Sequence, residues 1–329
     1  MRIIIFSSTF LPNIGGLENI MAGLAEEWTN LGHDVIVYTS TPQLANQSPR
    51  NFCIIFKPSN TELIKAVSRA DIYLEANISL KNIFTGLQSR KKWWVVHHIQ
   101  YDHQDSKIGF LKQFFTRFAK NISVSNFIAS KLNVPSTIIH NFFAPSFEQQ
   151  NINDRNYDLV FLGRLVSDKG VNQLIEAIAV STKNYKCLII GTGPEKTFLK
   201  KLVQEKNLTT QVIFSDPLHH SALTNALNQA KTMVIPSLWD EPFGVVALEA
   251  MACGCTIACS NKHGLKEATG GLAFYFDPTD LTSMLVAIDE AINFIKDDTF
   301  IKKEKEHLNN HSRSVIAKKY ISLFENSTL

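Results

Sequence analysis

Two consecutive doubly wound α/β domains, each built on a parallel sheet, are the fold this sequence predicts. Three observations carry the prediction. At 329 residues the chain exceeds the usual size of one hydrophobic core, so two domains are expected. Short apolar runs alternate with amphipathic stretches from end to end, the pattern of right-handed strand–helix–strand crossovers. The alternation lapses once, near the middle, and then restarts.

The first series opens with RIIIF at 2–6. It continues with VIVYTS at 35–40, CIIFK at 53–57, DIYLEA at 71–76, WWVVHH at 93–98, NISVS at 121–125 and TIIHN at 137–141. These runs are nearly continuous in hydrophobicity, as strands covered on both faces must be. Helical periodicity fills the intervals at 17–31 and 61–69. The polar stretch FFAPSFEQQNINDRN, punctuated by Pro145, is the best linker candidate. The second series is YDLVFLG at 157–163, CLIIG at 187–191, VIFS at 212–215, TMVIPS at 232–237, CTIACS at 255–260 and LAFYF at 272–276, followed by charged, helix-prone sequence. The division is therefore a first domain at 1–145, a linker at 146–156, a second domain at 157–300 and a helical tail at 301–329 able to pack back on the first domain. Open parallel sheets bind ligands at the carboxyl ends of their strands, so the crevice where the two domains face each other is the expected site.

Hydrophobic residues at 45% and charged residues at 19% are ordinary for a globular chain. A net charge of +3 is too small to argue for nucleic acid. Residues 1–150 hold 14 Lys/Arg against 10 Asp/Glu, and the remainder 19 against 20, so any attraction to an anionic surface belongs to the first half. Cys253, Cys255 and Cys259 cluster as C-x-C-x3-C without a nearby ligand set. With Cys53 and Cys187 they read as buried, reduced thiols of an intracellular protein rather than a metal site. The N-terminal MRIIIFSSTF has no signal-peptide core, and no run approaches the roughly 20 apolar residues that span a bilayer. A cytoplasmic location is expected.

Four stretches bear chemistry. After the first strand, Gly15 and Gly16 precede a helix whose free amides can hold an anion; the alternative is a tight turn that needs glycine for conformation alone. The spacing is not G-x-G-x-x-G, which counts against a nicotinamide cofactor. In FLGRLVSDKG, Gly163, Arg164 and Lys169 place two cations on a loop at a strand's carboxyl end, suited to clamping a diphosphate or simply solvated. Gly193 and Pro194 lie in a second glycine-rich turn, GTGPEK, weak as a signal by itself. In DEPFGVVALEA, Pro242 and Gly244 break the chain between a strand and a helix. Glu241 then sits just before the helix, and Glu249 about two turns inside it. A carboxylate in an apolar helix needs donors, which vicinal sugar hydroxyls supply. A hydrolytic acid pair is the competitor, but eight residues at about 1.5 Å rise separate the groups by more than about 10 Å.

Together GGLENIMAGLAEEWTNLGHDVIVYT, GRLVSDKGVNQLIEAI, GTGPEK and DEPFGVVALEAMACGCTIACSNKHGLKEATGG resemble the retaining glycosyltransferases of family 4, which have the two-domain GT-B fold. The resemblance covers nearly the whole chain and is strongest from 157 to 280. It implies a metal-independent transfer from a nucleotide-diphosphate sugar, the donor substrate, with no separate cofactor. By position, Gly16 faces the donor diphosphate, and Arg164 and Lys169 neutralise it as it leaves. Glu241 contacts the transferred sugar, the amides of Phe243, Gly244 and Val245 reach sugar or phosphate, and Glu249 holds the ribose. Pro194 and Leu218 lie where the family contacts the base. His97 or His98 matches a histidine near donor sugar and acceptor, with either assignment open.

The sequence departs from the family at Thr256, where proline is common, and at His263 and Asp216, where glycine is usual. The last two border the donor pocket, which puts its sugar and base preference in doubt. The first domain, which chooses the acceptor, is trimmed. The resemblance points to a glycan or lipid-linked acceptor in bacterial surface polysaccharide synthesis. An epimerase of the same fold and a non-catalytic nucleotide-sugar binding protein are the alternatives. Finally, SKIGFLKQFFTRFAKN at 106–121 sets Ile108, Phe110, Leu111, Phe114, Phe115 and Phe118 beside Lys107, Lys112, Arg117 and Lys120. With SRKKWW at 89–94 nearby, this is a candidate contact with an anionic membrane, or a helix packing on its own sheet.

Overall fold

The computed structural model describes residues 1–13, 15–43, 49–89, 92–101, 107–152 and 154–327. Arg90, Lys91 and Ser106 of the cationic aromatic stretches, and Asn153 of the expected linker, lie outside the described residues. The chain divides into two compact units, Met1–Phe142 with Arg313–Leu329, and Phe143–Ser312.

The first unit is a parallel sheet of β1 (Arg2–Ser7), β2 (Asp34–Thr39), β3 (Cys53–Phe56), β4 (Ile72–Ala76), β5 (Trp93–His97), β6 (Lys120–Ser123) and β7 (Thr137–Ile138), in the order β3-β2-β1-β4-β5-β6-β7. The order reverses between β1 and β4. Helix α1 (Gly16–Asn30) covers one face together with the C-terminal helix Arg313–Asn326. Trp28 on α1 is fully buried and donates its indole N–H to the Ala317 carbonyl at 3.0 Å. Tyr320 and Phe324 meet its ring edge-on at 5.8 and 5.7 Å. Arg313 adds ion pairs to Glu26 at 2.8 Å and Glu27 at 3.3 Å. On the other face, α2 (Asn60–Ser68), α3 (Ile83–Gln88) and α4 (Lys107–Phe115) share one apolar layer in which Leu63, Val67 and Ile83 meet Phe6, Tyr73 and Val95. A short helix, α5 (Asn126–Ser130), follows β6.

The second unit repeats the plan with β8 (Tyr157–Leu162), β9 (Cys187–Ile190), β10 (Val212–Ser215), β11 (Ala230–Ile235), β12 (Thr256–Ser260) and β13 (Phe274–Phe276), all parallel in the order β10-β9-β8-β11-β12-β13. Here the order reverses between β8 and β11. Helices α6 (Val171–Val180), α7 (Lys196–Glu205), α8 (His220–Asn228), α9 (Val245–Ala252), α10 (His263–Thr269), α11 (Leu281–Asn293) and α12 (Asp298–Asn310) complete it. Leu174, Ile175, Leu199, Val203, Met284 and Ile288 from α6, α7 and α11 close one core over Leu159, Ile189 and Val234 of the sheet.

Several sequence expectations shift. Residues 143–156 fall in the second unit, where their polar groups close the ends of its elements. The Gln150 amide donates to Asn228 Oδ1 at 2.7 Å, Asn228 donates to the Glu148 carbonyl at 3.0 Å, and Arg155 reaches the Cys253 carbonyl at 3.3 Å. The tail at 301–329 splits. Helix α12 stays with the second unit through His307, which donates to the Ala268 carbonyl at 2.8 Å, while Arg313–Asn326 joins the first. The helix expected over 106–121 ends at Phe115, and Lys120 begins β6. TIIHN contracts to the two residues of β7, which pair with β6 alone at the sheet edge. Cys53 is exposed because β3 is the opposite edge, whereas the other four thiols are buried. Burial pushes Cys187 and Cys253 up to about 12 and Cys255 up to about 11. No helix among the described residues is long and apolar enough to cross a membrane.

Trp28 is the main anchor of the C-terminal helix. Trp28→Ala is expected to cost about 3–5 kcal/mol, the range for deleting a buried aromatic. The check is the urea midpoint of unfolding; an unchanged midpoint would show that the helix is not held there.

Candidate active site

Every strand of the second unit points its carboxyl end the same way, so the loops after β8, β9, β10 and β11 share one edge of the sheet. The reversal between β8 and β11 opens a crevice there, because their following loops lead to opposite faces. After β8 come Gly163 and Arg164, then a single 3₁₀ turn at Ser167–Lys169. Arg164 is exposed, with no ion-pair partner among the described residues. After β11 come Ser237, Trp239 and Glu241. The two loops are tied across the switch point. Lys169 Nζ lies 2.5 Å from Glu241 Oε1, with the side chains 17% and 11% exposed. The Ser237 hydroxyl donates to that same oxygen at 2.7 Å, and Lys169 Nζ stands 5.1 Å from the centre of the Trp239 ring. Sequence reading gave Lys169 and Glu241 separate tasks. The structure pairs them.

Pro242, Phe243 and Gly244 are not helical, and α9 begins at Val245. Glu249 is consequently the fifth residue of α9, about one turn inside rather than two. Gly244 is the N-cap, with φ at +107°, no side chain caps the helix, and the Ala247 amide bonds the Gly244 carbonyl at 3.0 Å, which leaves the Val245 and Val246 amides without an acceptor among the described residues. Phe243 is buried, its ring centre 5.9 Å from that of His311. Gly264 allows α10 to approach this loop. A Cβ there would stand 2.1 Å from the Glu241 carbonyl oxygen, so any side chain would displace the acidic loop. Glu249 is half-buried, and its carboxylate has no hydrogen-bond partner among the described residues. Loss of solvent pushes it up to about 7.

At the outer loops, Gly193 packs against the Leu165 carbonyl, where a Cβ would meet the oxygen at 2.2 Å; that glycine has a packing role. Pro194 is exposed and Leu218 half-buried. The departure at Asp216 has a local reason, an ion pair with Lys196 at 2.5 Å that links the loops carrying Pro194 and Leu218. Thr256 also has one: its hydroxyl bonds to Thr232 Oγ1 at 2.8 Å and to the Ala291 carbonyl at 2.9 Å, uses a proline lacks. His263 opens α10.

In the first unit, Gly15 is the N-cap of α1 with φ at −166°, and Gly16 has open space where a Cβ would stand. Neither glycine has a backbone conformation reserved to glycine, and a Cβ at Gly15 would stand 2.4 Å from Glu18 Oε2. Helix α1 has no side-chain cap, leaving its first amides unsatisfied. The two histidines separate clearly. Asn121 Nδ2 donates to the Thr116 and Ala119 carbonyls at 2.9 and 3.0 Å, so its Oδ1 is an acceptor, and Nδ1 of a neutral His97 accepts from the Tyr101 hydroxyl at 2.8 Å. His97 Nε2 then donates to Asn121 Oδ1 at 2.9 Å, which makes His97 a neutral structural ring with both nitrogens used. His98 Nε2 is buried and has no hydrogen-bond partner among the described residues. Burial holds His97 down at about 4 and His98 at about 3, so both are neutral near pH 7.

Ser237, Trp239 and Gly264 went unnoticed in the sequence. Their only signal was proximity to Glu241, and Gly264 stands 23 residues away along the chain. Among the described residues, no group of three or more His, Cys, Asp or Glu is gathered to hold a metal ion, Cys253, Cys255 and Cys259 included.

Residues 143–312 match the family described as Glycosyl transferases group 1. An uncharacterized glycosyltransferase of Methanocaldococcus jannaschii is 35% identical over 118 residues, 35% of this chain and 30% of that protein. The lipopolysaccharide 1,2-N-acetylglucosaminetransferase of Salmonella typhimurium is 27% identical over 186 residues, 53% of this chain and 47% of the relative. The matches thus span less than half the length of these curated relatives. Among solved structures, Anabaena HepE in complex with UDP and glucose superposes with a TM-score of 0.82 at 15% identity, covering 99% of this chain and 100% of that one. That likeness is one of fold: two Rossmann-like α/β units, as in GT-B proteins.

The raised acidity constant of Glu249 has a measurable consequence. Its value is raised from 4.5 to about 7, so the stability it carries as a neutral acid is complete below pH 4.5 and lost as pH rises through 7. At 1.36 kcal/mol per unit this amounts to about 3 kcal/mol at most. Between pH 5 and 8, the urea midpoint of the wild type is expected to fall further than that of Glu249→Gln. Parallel curves would show that Glu249 is not desolvated.

Proposed function

The chain belongs to the glycosyl transferases group 1 family, and from that premise we propose that it transfers a hexosyl group from a nucleotide-diphosphate sugar to an acceptor hydroxyl. The observation that carries this reading is the Lys169–Glu241 pair across the switch point, with exposed Arg164 in the same loop as Lys169 and Glu249, unpartnered among the described residues, one turn into α9.

When the glycosidic bond breaks, its electron pair leaves with the diphosphate, and negative charge grows on the phosphate oxygens. Arg164 and Lys169 are assigned to that charge, with the free amides of α9 and of α1 behind Gly15 and Gly16. Cationic side chains then do what a divalent metal does elsewhere, so we read the reaction as metal-independent. Glu241 takes the transferred sugar, and Glu249 the ribose hydroxyls, which supply the donors it lacks. Pro194 and Leu218 flank the base. Of the histidines, His98 is the candidate to meet donor sugar or acceptor, since His97 has no free nitrogen. Retention of anomeric configuration and membership of family 4 rest on the sequence resemblance. UDP and glucose bound in the similarly folded Anabaena protein support a nucleotide-sugar donor. The name of the lipopolysaccharide 1,2-N-acetylglucosaminetransferase relative supports a surface-glycan acceptor, and a lipid-linked acceptor met from the cytoplasmic side rests on the sequence resemblance. An epimerase would change the donor without acceptor, and a binding protein would do neither.

Incubation of candidate nucleotide sugars with and without an acceptor extract, in excess EDTA, tests the reading. The expected result is acceptor-dependent sugar transfer that survives EDTA. Donor isomerisation without acceptor, or an absolute need for added manganese or magnesium, would contradict it.

Arg164→Ala is the cleanest probe of the diphosphate clamp, because Lys169→Ala would also strand Glu241. It is expected to lower turnover about 10²–10³-fold, by analogy with losing one oxyanion donor. Steady-state kcat with a saturating donor decides; an unchanged value removes Arg164 from the clamp.

A further inference from the structure

Helix α4 is built inside out. Its buried residues are Gly109 and Gln113, followed by Thr116 in the next turn, all small or polar. Its exposed residues include Phe110 at 63%, Ile108 at 57%, Leu111 at 43% and Phe114 at 37%. On a helical step of about 100° per residue, these four cover an arc of roughly 160° opposite Gly109 and Gln113. Sequence reading offered membrane contact or packing on the sheet as alternatives. Phe115 and Phe118 do pack into the apolar layer under the sheet, yet the larger apolar arc is left outside. On α3, which packs on the same layer, Phe84 is 75% exposed.

Charge selects the occupant. From Asn77 to Phe142 the sequence carries nine Lys or Arg and two Asp, a net +7, whereas residues 1–76 carry five Lys or Arg and seven Asp or Glu, a net −2. Among the described residues of 77–142 there are seven cations and no acid. The strand order puts this segment on the β5-β6-β7 side of the sheet, so the charge is gathered at one edge. Cations also stand on the aromatic rings: Arg117 lies 4.5 Å from the Phe114 ring centre and Lys112 lies 5.8 Å from that of Tyr101. Lys120, counted in the rim from sequence, points elsewhere, to the Trp94 ring at 5.0 Å and the Ser327 carbonyl at 3.2 Å. A protein partner ordinarily answers a patch with mixed charges. An apolar arc that, among the described residues of 77–142, is accompanied by cations and no acid fits an anionic lipid surface, with rings at the headgroup boundary and charges among the phosphates.

We propose that α4, with Phe84 of α3, docks the protein on an anionic membrane through Ile108, Phe110, Leu111 and Phe114, held by Lys107, Lys112 and Arg117. What the membrane would carry rests on the proposed acceptor; the docking itself does not require any transfer reaction.

The test is co-sedimentation of the full chain with phosphatidylglycerol-containing vesicles and with phosphatidylcholine vesicles, at low and high salt. Wild type is expected to sediment with the anionic vesicles at low salt and to release as salt rises. The triple substitution Lys107→Gln, Lys112→Gln, Arg117→Gln is expected to lower partitioning by about 10²-fold, at about 5-fold per basic residue. Phe110→Ser with Phe114→Ser is expected to lose binding at every salt concentration. Circular dichroism melts identify either variant that fails to fold, and the other then decides. Wild type that ignores anionic vesicles overturns the proposal. So does a dimer on size exclusion that Phe110→Ser with Phe114→Ser dissolves, since a second copy then covers this face. A failed transfer assay beside positive sedimentation would sink the enzymatic reading and leave the docking intact.

Discussion

Parallel pairing is the constraint on which the rest of the structure depends. A parallel strand cannot return by a hairpin, so each connection crosses the sheet and buries both its faces. All carboxyl ends then lie on one edge, and the loops that leave them are the only ones free of packing duty. This is why Arg164, Gly193, Leu218 and Glu241, spread over nearly eighty residues, share one edge of the second sheet. The same constraint places helix starts there. Helices α1, α6, α7, α8 and α9 have no side-chain cap. By contrast α2, α5, α11 and α12 are capped by Ser59, Ser125, Asp280 and Asp297. A cap ordinarily contributes about 1 kcal/mol. Capped and uncapped helices alike follow parallel strands, so the sheet edge alone does not decide which first turns carry a cap.

The architecture was legible because parallel strands advertise themselves. RIIIF, CLIIG and TMVIPS are continuous apolar runs that only burial on both faces explains, and each became a strand within a residue or two. Element ends were harder. TIIHN has the composition of a buried strand, yet at the sheet edge it finds one neighbour and pairs for only two residues. The inversion of α4 was invisible because periodicity reveals that an apolar arc exists, not which way it points. At the candidate site, Glu241 and Lys169 could be named from sequence but their pairing could not, since 72 residues separate them. Gly264 is the same kind of omission: its requirement arises from a backbone that arrives from another loop. The histidines show the converse. Sequence left His97 and His98 equivalent, and the hydrogen-bond partners around Asn121 distinguished them.

That pairing bears on what the candidate site can do. An ion pair taken largely out of water gains little net stability, because desolvation offsets the attraction. Lys169 and Glu241 are therefore poorly explained as a device for holding the fold. They make better sense as two charges placed together at one point, where the Ser237 hydroxyl supplies a second bond to the same carboxylate oxygen. On the proposed reading, an arriving diphosphate offers Lys169 a stronger anionic partner than one carboxylate. Glu241 would not be left bare, since it keeps Ser237 and gains the hydroxyls of the sugar. The exchange replaces one set of charge-assisted bonds with another, so donor entry need not expose a buried charge. Glu249 lacks such a partner, and its environment instead drives it toward neutrality. Two carboxylates eight residues apart are thus prepared differently. One is paired with a cation, and the other has no hydrogen-bond donor among the described residues.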